Sequence, residues 1–185
     1  TGGDNVIFGD NAKLQSLPTE RRYETTAPTH GGTDSIHAVD GHDVIFAGAS
    51  ADTVNAGNGN NIVFGDHGFA LLTPTSDIVD LQSTDFEIGG VDQITTGIGR
   101  DYIFAGTASD SADAGHGSNV VFGDLGRVQQ NSNTLQTISS LAPSIGDDDT
   151  ITAGNGTTVA VGGFGADQIT TGDGNNTAVG DNGLI

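Results

Sequence analysis

The chain has 185 residues, enough for one domain of ordinary size, yet 30 of them are Gly, aromatics make up 5%, and Trp, Met and Cys are absent. Its 24 acidic against 5 basic residues leave a formal charge of −19, which lacks the basic footprint of a nucleic-acid binder and opposes compaction unless cations neutralise it. Without Cys there are no disulfides or thiolate metal sites, and no apolar run approaches the roughly 18 residues of a membrane span.

Taken from the N-terminus, the first recognisable phrase is NVIFGDN at 5–11, and it returns as NIVFGDH at 61–67, NVVFGDL at 119–125 and NTAVGDN at 176–182. Its Asp residues, Asp10, Asp66, Asp124 and Asp181, recur at a period of about 57, the mark of a repeat architecture. The predicted organisation is therefore the end of a preceding module at 1–11, then modules at 12–67, 68–125 and 126–185. Both ends fall mid-pattern and neither an initiating Met nor a signal peptide is present, so the chain reads as a piece of a longer tandem array.

Each module opens with an irregular insert, at 12–29, 68–87 and 126–144, and these inserts hold all four prolines. Strand-like runs such as Ile78-Val79-Asp80-Leu81 lie in their second halves. An insert is either one more irregular coil of the stack or a β-hairpin leaving it, and β-rich runs around Pro favour the hairpin. No window keeps a 3.6-residue apolar period, so no helix is predicted.

The regular parts, at 30–67, 88–125 and 145–185, keep a strict step of nine. Asp34, Asp43, Asp52 and Asn61 mark the first; Asp92, Asp101, Asp110 and Asn119 the second; Asp149, Thr158, Asp167 and Asn176 the third. Before each marker comes a Gly-rich stretch (Gly90 and Gly99 among them), in which Gly lets the backbone turn tightly. After each comes a three-residue run with an apolar centre, a very short strand pointing one side chain inward. Two such units close one coil of a two-sided parallel solenoid, with Ile36, Ile45, Val54, Val63, Ile94, Ile103, Val121, Ile151 and Ile169 as the inward column.

Residues 18 apart then stack: Asp34 with Asp52, Asp92 with Asp110, Asp149 with Asp167. Carboxylates about 4.8 Å apart repel unless a hard cation sits between them, and oxygen-only ligands of flexible geometry suit Ca²⁺.

The units AGASADTVN, TGIGRDYIF and GGFGADQIT resemble the nonapeptide of the repeats-in-toxin (RTX) calcium-binding family, which implies an all-β, Ca²⁺-binding parallel β-roll with several ions. The resemblance implies one ligand set per block. On the first block it comprises the carbonyls of His30, Gly32, Ala47 and Ala49 with Asp34 and Asp52. On the second it comprises those of Ile88, Gly90, Ala105 and Thr107 with Asp92 and Asp110. On the third it comprises those of Ile145, Asp147, Gly162 and Phe164 with Asp149 and Asp167. On the opposite side the pairs are Asp43 with Asn61 and Asp101 with Asn119 (beside Gly99), one carboxylate each, and Thr158 with Asn176, none. One strong and one weak column of sites is expected. The Asn residues are alternatively caps of the regular stack. Asp66, Asp124 and Asp181 either add a ligand or only form turns.

The five His share no common position and read as solvated turn residues, and nothing resembles a nucleophile elbow, a phosphate loop or a metalloprotease helix, so an enzyme is not expected. Thr95, Thr152 and Thr170 share the last position of the nonamer with Phe46, Phe64, Phe104 and Phe122. The Phe interrupt any ice-binding Thr array, and their row is expected to be covered by the inserts. The expected role is a Ca²⁺-stabilised structural segment of a secreted or cell-surface protein, an adhesin stalk or an extracellular filament or matrix, with self-association or further repeats beyond it. The alternatives are a module that binds a ligand or partner through its inserts, and the carrier region of a secreted hydrolase or toxin.

Overall fold

The computed structural model describes residues 2–131 and 134–185, and among them every regular element is a β-strand. The strands form three sheets. The first is parallel, with β1 (Val6–Phe8), β5 (Val44–Phe46), β7 (Ile62–Phe64), β12 (Tyr102–Phe104), β14 (His116–Phe122), β18 (Gly156–Val161) and β20 (Thr177–Val179) in that order, and β11 (Ile98–Gly99) also pairing with β14. The second is parallel too and runs β4 (Ser35–His37), β6 (Thr53–Gly57), β10 (Gln93–Thr96), β13 (Ser111–Asp113), β17 (Thr150–Ala153), β19 (Gln168–Thr171). Along the chain, regular strands alternate between these two sheets. Each nonamer therefore contributes one strand and one turn, and successive turns fall on opposite edges.

The inward column closes the gap between the two sheets. Ile36, Ile45, Val54, Val63, Ile94, Ile103, Val121 and Ile151 form one buried cluster with small alanines such as Ala56 and Ala112, and Ile169 packs against it. In most strands of the second sheet burial alternates with exposure, as the exposed–buried–exposed strand Ser35–His37 illustrates. In the first sheet whole strands vanish from solvent: Val44–Phe46, Ile62–Phe64 and Tyr102–Phe104 are buried at all three positions. A strand buried on both faces must have a second layer above it.

That layer is the third sheet, antiparallel and built from the stretches between the regular blocks: β2 (Ala12–Ser16) with β3 (Arg21–Thr25), β8 (Gly68–Leu72) with β9 (Ile78–Ser83), and β15 (Gly126–Asn131) with β16 (Thr134–Ser140). β3 pairs with β8 and β9 with β15, so the three units form one continuous sheet. Its inner face supplies Tyr23, Ala70, Leu72, Leu81, Val128 and Ile138 to a second cluster that encloses Phe46, Phe64, Phe104 and Phe122. Those four rings and Phe8 stack at centroid spacings of 4.5–5.2 Å.

Register repeats from module to module. Tyr23 pairs with Ala70 and Leu81 with Val128, and Ile138 exchanges both backbone hydrogen bonds with Ile185 at the next equivalent position.

Candidate metal centre

Of the two edges, the richer is the one where the chain passes from the first sheet to the second. Its regular turns, such as 47–52 and 105–110, alternate with turns interrupted by a unit of the third sheet. Parallel pairing puts the Asp before each second-sheet strand in one column, and a hydrogen-bond ladder joins them. Asp34 N–H donates to Asp52 Oδ1 at 2.7 Å, Asp52 N–H to Asp92 Oδ1 at 2.8 Å and Asp92 N–H to Asp110 Oδ1 at 2.8 Å. Asp110 N–H continues to Asp149 Oδ1 at 2.8 Å and Asp149 N–H to Asp167 Oδ1 at 3.0 Å. The expected pairs 18 apart are thus three of the five rungs of one ladder of six Asp. The other two rungs join residues 40 and 39 apart across an insert, and a step of 18 cannot reveal them.

Each rung uses one carboxylate oxygen. The other, Oδ2 of Asp52, Asp92, Asp110, Asp149 and Asp167, is buried and has no protein donor. A buried anionic oxygen without a partner is expensive, so the column demands a cation or a proton. Burial pushes these carboxyls up: Asp92 to about 9, Asp110 to about 10, Asp149 to about 8 and Asp52 to about 6, with neighbouring carboxylates adding to the shift.

Backbone carbonyls converge on the same oxygens. A Cβ placed on Gly65 would lie within 3.0 Å of both the Ala105 carbonyl and Asp92 Oδ2. Gly9 stands likewise over Ala47 and Asp34, and Gly123 over Gly162 and Asp149. So the Ala47 carbonyl and Asp34, the Ala105 carbonyl and Asp92, and the Gly162 carbonyl and Asp149 each flank one Gly. Gly162 repeats the arrangement with Asp167 and the Gly180 carbonyl, which lay outside those sets. Among the described residues no three His, Cys, Asp or Glu side chains converge as a metal cluster. With two carboxylates at most between adjacent layers, an ion here would be completed by carbonyls, which suits a hard, flexibly coordinated cation such as Ca²⁺.

The remaining members of the ligand sets face another group. Gly32 and Ala49 donate their N–H to Asp10, Gly90 and Thr107 to Asp66, and Phe164 to Asp124. The carbonyl of His30 accepts from Asn11, and Ile88 and Ile145 close short turns back to Asp85 and Ala142. Asp147 is exposed, although Asp149 two residues on is buried. Asp10, Asp66 and Asp124 each stand where the chain leaves for the third sheet. Their carboxylates tie the returning strand to the next layer; Asp66, for example, bonds Gly90 at 2.9 Å and Thr107 at 2.6 Å. Desolvation pushes Asp66 and Asp124 up to about 7, against the pull of those N–H donors.

The opposite edge is built differently. Asp43 N–H donates to Asn61 Oδ1, Asn61 N–H to Asp101 Oδ1, and Asp101 N–H to Asn119 Oδ1; Thr158 N–H donates to Asn176 Oδ1. Gly99 lies in β11, paired with Gly117. Here the Asn side chains also bring donors: Nδ2 of Asn61 reaches the Gly57 carbonyl at 3.3 Å, Asn119 that of Ala114 at 2.9 Å, and Asn176 that of Gly172 at 2.8 Å. An amide in this position does for the turn carbonyls what an ion would do beside a carboxylate. Among the described residues only Asp43 and Asp101 keep an unpartnered, buried Oδ2 on this edge, and burial pushes Asp101 up to about 6.

One reading is corrected. His67 is not a solvated turn residue: it is 2% exposed, enclosed where the chain leaves the first sheet, and desolvation lowers its pKa. The sequence around it gave no hint of this, because the segments against it, around Pro28 and Thr84–Asp85, are distant along the chain.

Comparison with family models gives a match to the RTX calcium-binding nonapeptide repeat (4 copies) over residues 29–66, 89–127 and 152–183, more than half of the chain. The chain belongs to this family. RTX nonapeptide repeats bind Ca²⁺. The repeat is a structural, calcium-binding one rather than a catalytic domain. No curated protein and no solved structure matches the chain. Within the RTX pattern the position two before the Asp departs from Gly at Ser50, Ala108 and Asp147; Ser50 and Ala108 hold φ at +75° and +91°, a left-handed conformation that costs an L-residue about 1–2 kcal/mol.

Proposed function

We propose that this RTX segment is a Ca²⁺-folded structural element of a larger secreted or cell-surface repeat protein, in the manner of an adhesin stalk or an extracellular filament. The observation that carries this reading is the ladder of six Asp, five of which bury an outer oxygen that has no protein donor. In this reading Ca²⁺ occupies the gaps between Asp34, Asp52, Asp92, Asp110, Asp149 and Asp167, and more weakly those beside Asp43 and Asp101. The ion supplies charge compensation, so that its binding energy becomes folding energy. The modules 12–67, 68–125 and 126–185 then each contribute an insert and two coils to one two-sided solenoid, and the register of Ile185 on Ile138 supports continuation by further modules. RTX proteins are typically secreted, and export of an unfolded acidic chain into a Ca²⁺-rich exterior fits that behaviour.

Far-ultraviolet circular dichroism tests it. A β signal should appear cooperatively on adding Ca²⁺ and disappear with excess chelator; an unchanged β signal in chelator would remove the basis of the proposal.

A further inference from the structure

One turn of the Asn-rich edge departs from its neighbours. Ala38, Ala56, Ala114 and Ala153 stand five residues before Asp43, Asn61, Asn119 and Thr158, and all four are buried. Before Asp101 the same position holds Thr96, which is 4% exposed. Thr171, before Asn176, carries the other hydroxyl in this series and is only half-buried. The pairing of β10 with β6 slips at Thr96, which lies opposite Gly57 rather than Ala56. Such a bulge re-aims a side chain.

The Thr96 hydroxyl is aimed at a charge. Burial raises the Asp101 carboxyl, and the Thr96 hydroxyl beside it pulls the other way. Yet neither Thr96 Oγ1 nor Asp101 Oδ2 has a hydrogen-bond partner, and both atoms are buried. The other carboxylate oxygen of Asp101 is satisfied twice, by the Asn61 N–H at 2.9 Å and Asn61 Nδ2 at 3.0 Å. Two oxygens therefore share one enclosed gap without closing a hydrogen bond across it. The carbonyls of Gly57 and Gly59 turn toward the same layer, where they meet Asn61 Nδ2 at 3.3 and 3.4 Å. An anionic oxygen buried among such groups is costly unless a cation joins it.

The charge of the gap decides which cation. Along the Asp edge burial raises each carboxyl and neighbouring carboxylates raise it further, as at Asp92 and Asp110. At Asp101 no other carboxylate among the described residues contributes, because Asn61 and Asn119 occupy the layers on either side. One negative charge is balanced by one positive charge. A divalent ion would leave a buried excess, and fewer ligand charges weaken Ca²⁺. We propose that Thr96 Oγ1 and Asp101 Oδ2 bind a monovalent alkali cation, with backbone carbonyls of the adjoining turns completing its shell. This deepens the reading above, in which Asp101 belongs to the weak Ca²⁺ column, and rests on it for the Ca²⁺-loaded fold.

Thermal melting of the Ca²⁺-loaded chain in sodium, potassium and tetramethylammonium chloride at equal ionic strength tests it. The unaltered chain should melt about 2–4 °C higher with an alkali cation than with tetramethylammonium, as occupation of one moderate site does. Thr96→Val keeps the shape without the hydroxyl and should lose that difference, whereas Thr96→Ser should keep it. Circular dichroism against Ca²⁺ on the same samples reads the Asp34–Asp167 ladder separately, and its response should persist in Thr96→Val. Equal melting of the unaltered chain in all three salts overturns the proposal, and so does a Thr96→Val variant that keeps the full difference. In crystals of the unaltered chain grown with Tl⁺ in place of the alkali cation, an anomalous peak is expected between Thr96 and Asp101. A Ca²⁺ peak there, or no peak, overturns the assignment.

Discussion

At the scale of single residues, unpartnered carboxylate oxygens and a few left-handed turns govern the behaviour. Asp92→Asn and Asp110→Asn each replace a proposed ligand by an amide that brings its own donors, so each should raise the Ca²⁺ midpoint of folding about tenfold or more. Asn119→Asp on the other edge should lower it, because it exchanges a self-satisfied amide for a second carboxylate facing Asp101. The proton competes with the ion. Because the folded, ion-free carboxyls of Asp52, Asp92, Asp110 and Asp149 are raised above the ordinary value near 3.8, the folded state binds more protons than the unfolded one. Ion-free stability is therefore fullest near pH 4 and is lost as pH rises through about 6 to 10. Ca²⁺ affinity runs the other way, and titrations at pH 6 and pH 8 should show a lower midpoint at pH 8. Ala108→Gly removes a methyl held at φ +91°; it should stabilise the Ca²⁺-loaded protein by up to about 1 kcal/mol in denaturant melts, since relief of left-handed strain outweighs the entropy that Gly adds.

At the scale of elements, the short strands persist because each is covered on at least one side. Val44–Phe46 and its neighbours are sandwiched between the inner apolar column and the antiparallel sheet. Phe104→Ala removes the fully buried ring between Phe64 and Phe122 and should cost about 3–5 kcal/mol, read as a shift in the denaturant midpoint at saturating Ca²⁺. Much of this was legible in the sequence. The nine-residue grammar is local turn chemistry, so Ile36, Ile45 or Asp92 could be assigned to core or edge from spacing alone. The rest depends on contacts without a period. Strand pairing of β3 with β8 and β9 with β15 is long-range and leaves no mark in the spacing. The rungs from Asp52 to Asp92 and from Asp110 to Asp149 become visible only when the inserts are taken out of the count. His67 and Asp66 take their roles from segments that fold over them from elsewhere in the chain.

At the scale of the whole molecule, a charge of −19 and a thin, Gly-rich core set repulsion against modest burial. The first edge concentrates the repulsion in a column of six carboxylates, and the second relieves it with amides. Divalent ions in the five gaps between six stacked Asp would cancel about half of the total charge, which makes folding, compaction and ion binding one event. In size-exclusion chromatography with light scattering, the radius should fall sharply on adding Ca²⁺, and an equal concentration of Mg²⁺, which demands stricter octahedral geometry, should not substitute. The central claim is that the ions sit on the Asp edge. The most direct measurement is an anomalous difference map from crystals grown in Ca²⁺, recorded where the ion scatters anomalously. Peaks are predicted beside the Asp34–Asp167 column, strongest between Asp92 and Asp110, with weak peaks or none beside Asn61, Asn119 and Asn176. A map with no peak along that column, or with peaks confined to the Asn-rich edge, would contradict the account.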